Sequence, residues 1–149
     1  RYISVTGVQT CALPISGLDG RIVPDIKRED WRKVIFNCVI NPTTSLLRSE
    51  VGSIVDPRLN TLKRQIVDEC LAVASADGVV FEEDFLVLID KVFASARTIA
   101  SMQQDLMKGR KTEIDYMNGA VADLGQKFGI PTPVNAAMAT MIRYLEAKG

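Results

Sequence analysis

The chain has 149 residues, of which 47% are hydrophobic, enough for one domain that buries roughly 70% of the surface its unfolded form exposes. Eighteen Lys and Arg balance eighteen Asp and Glu, which leaves no basic excess to drive binding to nucleic acid or to an anionic membrane. Histidine is absent, so the usual general base, the commonest metal ligand and the Ser-His and Cys-His nucleophiles are excluded together, and chemistry falls to Lys, Glu, Asp, Tyr or polar amides.

The head, Arg1 to Ser16, shows neither a helical period nor a clean strand alternation. Gly7, Gln9 and Thr10 interrupt the apolar centre that a signal peptide needs. Its run Val5-Thr6-Gly7-Val8-Gln9-Thr10-Cys11-Ala12-Leu13-Pro14-Ile15 resembles the in-frame translation of a sequencing-library adapter. Residues 1–16 are therefore expected to be an artefactual or disordered head and 17–149 the domain, with the natural chain cut off near Gly17. A natural β-like arm is the alternative. Cys11, Cys38 and Cys70 form no CxxC pair, so neither a zinc site nor a disulfide framework is expected, and a reducing, cytoplasmic setting fits. No apolar run reaches the ~18 to 20 residues of a spanning helix.

From about Arg28 to Leu47, Trp31, Val34, Ile35, Cys38, Val39, Leu46 and Leu47 recur at spacings of three and four, which predicts a helix with a broad apolar face. Pro42 falls inside it, removes one backbone donor and predicts a bend or restart. Asp56 as N-cap and Pro57 at the first helical position open the next helix, with Leu59, Leu62, Ile66, Cys70 and Val73 on one stripe and Gly78 at its end. Glu82, Glu83 and Asp84 precede a third, whose stripe of Phe85, Ile89, Val92, Phe93 and Ala96 is expected to run on towards Met107. Thr112 is placed to cap a fourth through Ile114, Met117, Val121, Leu124 and Phe128, closed by Gly129. After Pro131 and Pro133, Val134, Met138, Met141 and Leu145 line a last helix. No strand pattern or repeat appears, and the expected fold class is all-α.

Lys33, Asn37 and Asn41 stand at i, i+4 and i+8, so they project from one side of a helix and drift only about 40° per step. One ligand can touch all three. Asn37 interrupts an apolar stretch, where a buried amide must find hydrogen-bond partners. Read singly, Lys33 is a solvated lysine, Asn41 before Pro42 is local turn chemistry, Ser101 is a helix serine and Glu113 a first-turn glutamate. Neither a Gly-x-Gly-x-x-Gly turn nor a P-loop occurs anywhere in the chain.

Three blocks raise these residues above their separate readings. Trp31-Arg32-Lys33-Val34-Ile35-Phe36-Asn37-Cys38-Val39-Ile40-Asn41-Pro42 resembles the W-x-K-x-x-x-N-x-x-x-N-P signature opening the C-terminal domain of ketopantoate reductases (2-dehydropantoate 2-reductases). Ser101-Met102-Gln103-Gln104-Asp105, followed by Thr112-Glu113-Ile114-Asp115-Tyr116-Met117-Asn118-Gly119, resembles the family's S-M-x-Q-D…T-E-I-D-x-x-N-G run. Gly129-Ile130-Pro131-Thr132-Pro133-Val134-Asn135 resembles its G-[IV]-x-x-P-x-N segment. The resemblance covers nearly everything from about Gly17 onward and corresponds to the second half of an intact family member.

It implies a helical domain of the ketopantoate reductase / 6-phosphogluconate dehydrogenase C-terminal-like type, with the N-terminal Rossmann domain that binds the NADPH pyrophosphate missing. By resemblance, Lys33 is the catalytic general acid and Glu113 engages the substrate hydroxyl, while Asn37, Asn41 and Ser101 bind the substrate. Ala100 stands where many members have a serine before Ser101. The implied reaction is NADPH-dependent reduction of 2-dehydropantoate to pantoate, towards pantothenate and coenzyme A, and this chain alone is expected to be inactive. Implied partners are the small 2-oxo acid and a second copy in a homodimer, with no metal, nucleic acid or membrane. Two alternatives stand beside it: a related reductase of another 2-oxo acid, and a non-catalytic helical interaction module with the Met-rich last helix as its contact face.

Overall fold

Asp25 opens the first helix: its carboxylate accepts the Arg28 N–H at 3.0 Å, an N-cap that satisfies one of the orphaned donors of the first turn. A computed structural model of the protein describes residues 25–148. The head expected over residues 1–16, its boundary at Gly17 and Cys11 lie outside them.

Helix α1 spans Ile26–Leu47 as one continuous helix through Pro42, so the expected restart does not occur. Pro42 cannot donate to the carbonyl of Cys38. Asn118 Nδ2, from far along the chain, donates to that oxygen instead at 3.1 Å. The helix ends at Arg48, which adopts the left-handed conformation with φ 51°.

The start of the second helix follows the expected chemistry with a tighter first turn. Asp56 accepts the Arg58 N–H at 2.9 Å, Pro57–Leu59 form a 3-10 turn, and α2 (Asn60–Ala76) continues from it. Gly78, at φ 90°, turns the chain away. Helix α3 spans Phe85–Phe93, capped by Asp84, and does not run on to Met107. The carbonyls of Ala96 and Thr98 instead accept from Gly52 and Val51 at 2.9 and 2.8 Å, and these bonds to a distant segment replace the helical ones. Helix α4 (Ser101–Met107) then forms separately. The helix expected from Thr112 is likewise divided, into a 3-10 turn at Ile114–Tyr116 and helix α5 at Asn118–Phe128. Gly129, left-handed at φ 71°, closes α5, and α6 spans Pro133–Glu146. Among the described residues there is no β-strand, and the fold is all-α.

Helix α1 is the axle of the packing. It touches α2, α4 and α6, while α5 pairs with α6 and also reaches α2. The shared core contains Ile35, Cys38 and Val39 of α1, Ile66, Val67, Cys70 and Val73 of α2, and Met138 and Ile142 of α6. Each such aliphatic side chain contributes about 1.5–3 kcal/mol when fully buried. Three residues expected in apolar stripes, Leu47, Val92 and Met141, are exposed instead. Lys63, on the inward side of α2, is fully buried and pairs with Asp90 of α3 at 2.7 Å. Among the described residues no helix is long and apolar enough to cross a membrane.

Candidate functional site

The helical spacing of Lys33, Asn37 and Asn41 becomes a gradient of burial along α1. Lys33 is exposed, Asn37 half-buried, and Asn41 buried at 9% exposure, so the line runs from solvent into the protein. Asn41 Nδ2 donates to the sulfur of Met117 at 3.5 Å, a weak acceptor that leaves the amide available for a better one.

Met117 belongs to the segment that carries Glu113, and that segment is anchored on both sides of it. The N–H and hydroxyl of Thr112 both donate to Glu146 Oε1 of α6, at 2.7 and 2.6 Å, and Thr112 Oγ1 accepts the Ile114 N–H at 3.2 Å. Asp115 pairs with Arg143 at 2.8 Å and with Lys111 at 3.1 Å. The hydrogen bond from Arg143, then that from Lys111, hold its carboxyl below the usual range. Glu113 lies between these two anchors and is itself exposed. Thr112 thus holds the first N–H of a 3-10 turn, whose capping position is Glu113, rather than capping a long helix, and the clamp fixes where Glu113 and Met117 stand relative to α6.

Tyr116, 80% exposed, joins Lys27, Asp30, Trp31 and Val34 of α1 and residues of α5 around a cleft of about 260 Å³. The cleft adjoins the Asn37 and Asn41 side of α1, since residues 30 and 34 precede 37 and 41 on neighbouring helical rows. Its floor is tied together by Asp77, which accepts from Trp31 Nε1 at 2.9 Å and pairs with Lys27 at 3.1 Å. The indole hydrogen bond is the largest cause holding the Asp77 carboxyl low.

Ser101 is the first residue of α4 and is exposed, directly after the buried Ala100. Helix α4 packs on α1, and Arg110 closes its far end on Asp105 at 2.7 Å. The structure therefore lines up Lys33, Asn37 and Asn41 on one helix, sets the Glu113 segment against Asn41 through Met117, and brings the Ser101 helix onto α1.

The sequence reading assigned no role to three residues that matter here. Asn118 and Asn135 are both fully buried, and Asn118 Nδ2 donates to Asn135 Oδ1 at 2.9 Å. Asn135 is held in turn by Glu69 of α2. The available signal was the carbonyl that Pro42 orphans, which requires a donor from elsewhere. Cys38 is fully buried in the shared core, where it serves packing, and burial pushes its thiol well above its ordinary range. Among the described residues no cluster of three or more Cys, Asp or Glu could hold a metal ion. Among the described residues, no glycine-rich turn before a helix offers a dinucleotide pyrophosphate site either.

A family model described as ketopantoate reductase PanE/ApbA C terminal matches residues 25–146. The chain belongs to this family. Among curated relatives, a 2-dehydropantoate 2-reductase of Vibrio cholerae is 38% identical over 127 residues, covering 83% of this chain and 42% of the relative. One from Pyrobaculum aerophilum is 37% identical over 129 residues, covering 85% and 46%. The chain thus spans about half the length of the curated relatives it matches. A PanE/ApbA family ketopantoate reductase from Ralstonia eutropha JMP134 superposes with a TM-score of 0.87 at 28% identity, over 98% of this chain and 50% of that one. A D-mandelate dehydrogenase solved with NADH and anilino(oxo)acetate also reaches 0.87, at 25% identity, over 97% of this chain and 64% of that one.

Proposed function

We propose that this chain is the helical substrate-binding domain of an NADPH-dependent reductase that converts 2-dehydropantoate to pantoate. The observation that carries the reading is the line of Lys33, Asn37 and Asn41 on one continuous helix, with the clamped Glu113 segment beside its buried end. Cofactor binding is assigned to the half of the relatives' length that this chain does not span, and the chain alone is inactive on this reading.

When bound, the reduced nicotinamide supplies a hydride to the carbonyl carbon of the 2-oxo acid. Negative charge then builds on the former carbonyl oxygen, where Lys33 neutralises it with its ammonium group and donates the proton. Glu113 accepts a hydrogen bond from the substrate hydroxyl. The amides of Asn37 and Asn41 and the hydroxyl of Ser101 hold the substrate in register with Lys33. This division of labour needs no histidine. It also gives a reason for an amide inside, and another at the end of, the apolar stretch from Val34 to Ile40.

The likeness to a D-mandelate dehydrogenase favours a second reading, a reductase of another 2-oxo acid, because the lysine chemistry is generic and the pocket sets specificity. Turnover of a panel of 2-oxo acids by the intact enzyme, with NADPH and with NADH, separates the two. Preference for 2-dehydropantoate with NADPH is expected. Preference for a different 2-oxo acid selects the second reading, and no reduction of any of them overturns both.

A further inference from the structure

We propose that Asn118 is a positioning residue for the Lys33, Asn37 and Asn41 line, supplying the hydrogen-bond donor that Pro42 takes out of α1. The inference rests on the function proposed for that line. In an unbroken helix the carbonyl of Cys38 accepts from the N–H of residue 42, and proline has none. Asn118 Nδ2 occupies that role at 3.1 Å, across 80 residues of sequence. The carbonyl lies between Asn37 and Asn41, in the middle of the site line.

The way the amide is used identifies it as a donor. Both hydrogens of Nδ2 are engaged, one by the Cys38 carbonyl and one by Asn135 Oδ1 at 2.9 Å, while Asn118 Oδ1 is buried with no partner. A position that leaves an acceptor unmatched and employs two donors selects for the NH₂ group. Asn135 is immobilised in its turn. Its Nδ2 donates to the Ile66 carbonyl at 3.3 Å and to Glu69 Oε2 at 2.8 Å, and its backbone N–H donates to the same oxygen at 2.9 Å. A chain of bonds therefore runs from Glu69 in α2 through α6 and α5 to one carbonyl of α1. Met117, the residue before Asn118, touches Asn41, so one stretch of backbone fixes both the helix and the buried end of the site line.

The lever is large enough to matter. Lys33 lies five residues from Cys38, about 7.5 Å along the axis, and a kink of ~20° at that point swings it by roughly 2.6 Å. Misplacement by about 1 Å is enough to slow a catalysed step ~100-fold.

The test is a double-mutant cycle between Asn118→Ala and Pro42→Ala, because alanine at 42 restores the backbone N–H. Urea unfolding of the chain itself reads the structural half, and kcat of the intact reductase reads the functional half. Asn118→Ala is expected to raise the unfolding equilibrium constant roughly ten- to hundredfold and to lower kcat about ten- to hundredfold, with KM changed less. In the Pro42→Ala background both effects shrink to a few-fold. If Asn118→Ala alone does not fold, recovery of folding in the double variant supports the donor role and no recovery overturns it. Equal losses in both backgrounds overturn it too, and coupling in stability with unchanged kcat overturns the positioning role. Because the unfolding cycle is independent of turnover, inactivity of the unmutated enzyme on 2-oxo acids counts against the proposed function and not against the pairing of Asn118 with Pro42.

Discussion

Glu69 caps a helix that it does not belong to: its Oε2 accepts the Asn135 N–H at 2.9 Å and its Oε1 accepts the Val134 N–H at 2.8 Å. Thr132, the residue in the local capping position of α6, provides no side-chain bond. A carboxylate from α2 thus satisfies two orphaned donors of α6 and places negative charge at the positive end of its dipole. Glu69→Ala is expected to lower stability by about 1–3 kcal/mol. An unchanged urea midpoint contradicts the cross-helix cap.

Lys63 and Asp90 make an asymmetric pair, one fully buried and the other with 42% of its side chain exposed. Removing Asp90 leaves an ammonium group in the core without its nearest counter-charge. Asp90→Ala is therefore expected to destabilise by about 2 kcal/mol, less than for a fully buried pair because solvent reaches the aspartate. Lys63→Met, which removes the charge and keeps the volume, is expected to lose less than about 1 kcal/mol. Thermal unfolding of the two variants gives the order directly.

Gly52 sits where the 51–55 turn meets the segment after α3, and a Cβ there would lie 2.5 Å from the Ala96 carbonyl oxygen. The obstacle is backbone, which cannot rotate aside. Gly52→Ala is expected to cost about 1–3 kcal/mol through forced separation of these segments. A Tm equal to that of the unmodified chain contradicts that contact.

Acid stability follows from depressed carboxyls, five among the described residues: Asp56, Asp77, Glu83, Asp84 and Asp115. Asp56 is lowered to about 2, chiefly by its hydrogen bond from Arg58, and Asp77 and Asp115 are lowered by hydrogen bonds from Trp31 and Arg143. A carboxyl whose folded pKa lies below its unfolded value of about 3.9 adds stability above that pH and loses it as pH falls through the folded value. The unfolding midpoint is therefore expected to hold steady near neutrality and to fall below about pH 4. Asp115→Asn should flatten part of that fall, and an identical acid profile contradicts its contribution.

Much of the helix chemistry was legible from local signals. Asp56 followed by Pro57 marked the start of the second helix, and Gly129 marked the end of α5, because caps act within one turn. What local reading missed was decided by distant partners. Pro42 predicts a bend or a restart in α1, yet the helix does not restart and the orphaned carbonyl is served by Asn118. The stripe after Phe93 predicted more helix, yet Ala96 and Thr98 bond to Gly52 and Val51. Lys63 falls between Leu59 and Ile66 on the inward face of α2, where a lysine signals solvent unless its counter-charge is known. For the site, spacing alone put Lys33, Asn37 and Asn41 on one face. Their roles, and those of Glu113 and Ser101, came from resemblance, since an exposed lysine or glutamate has the same local pattern whether or not it binds substrate.

The central claim is that Lys33 delivers the proton. The decisive measurement is kcat for 2-dehydropantoate reduction by the intact enzyme carrying Lys33→Ala, with the unfolding midpoint measured on the same preparation. Loss of general-acid catalysis is expected to lower kcat by about 10²- to 10⁴-fold, with the midpoint nearly unchanged because interactions of an exposed lysine contribute at most about 1 kcal/mol. A folded variant that retains kcat within a few-fold of the unmodified enzyme contradicts the account.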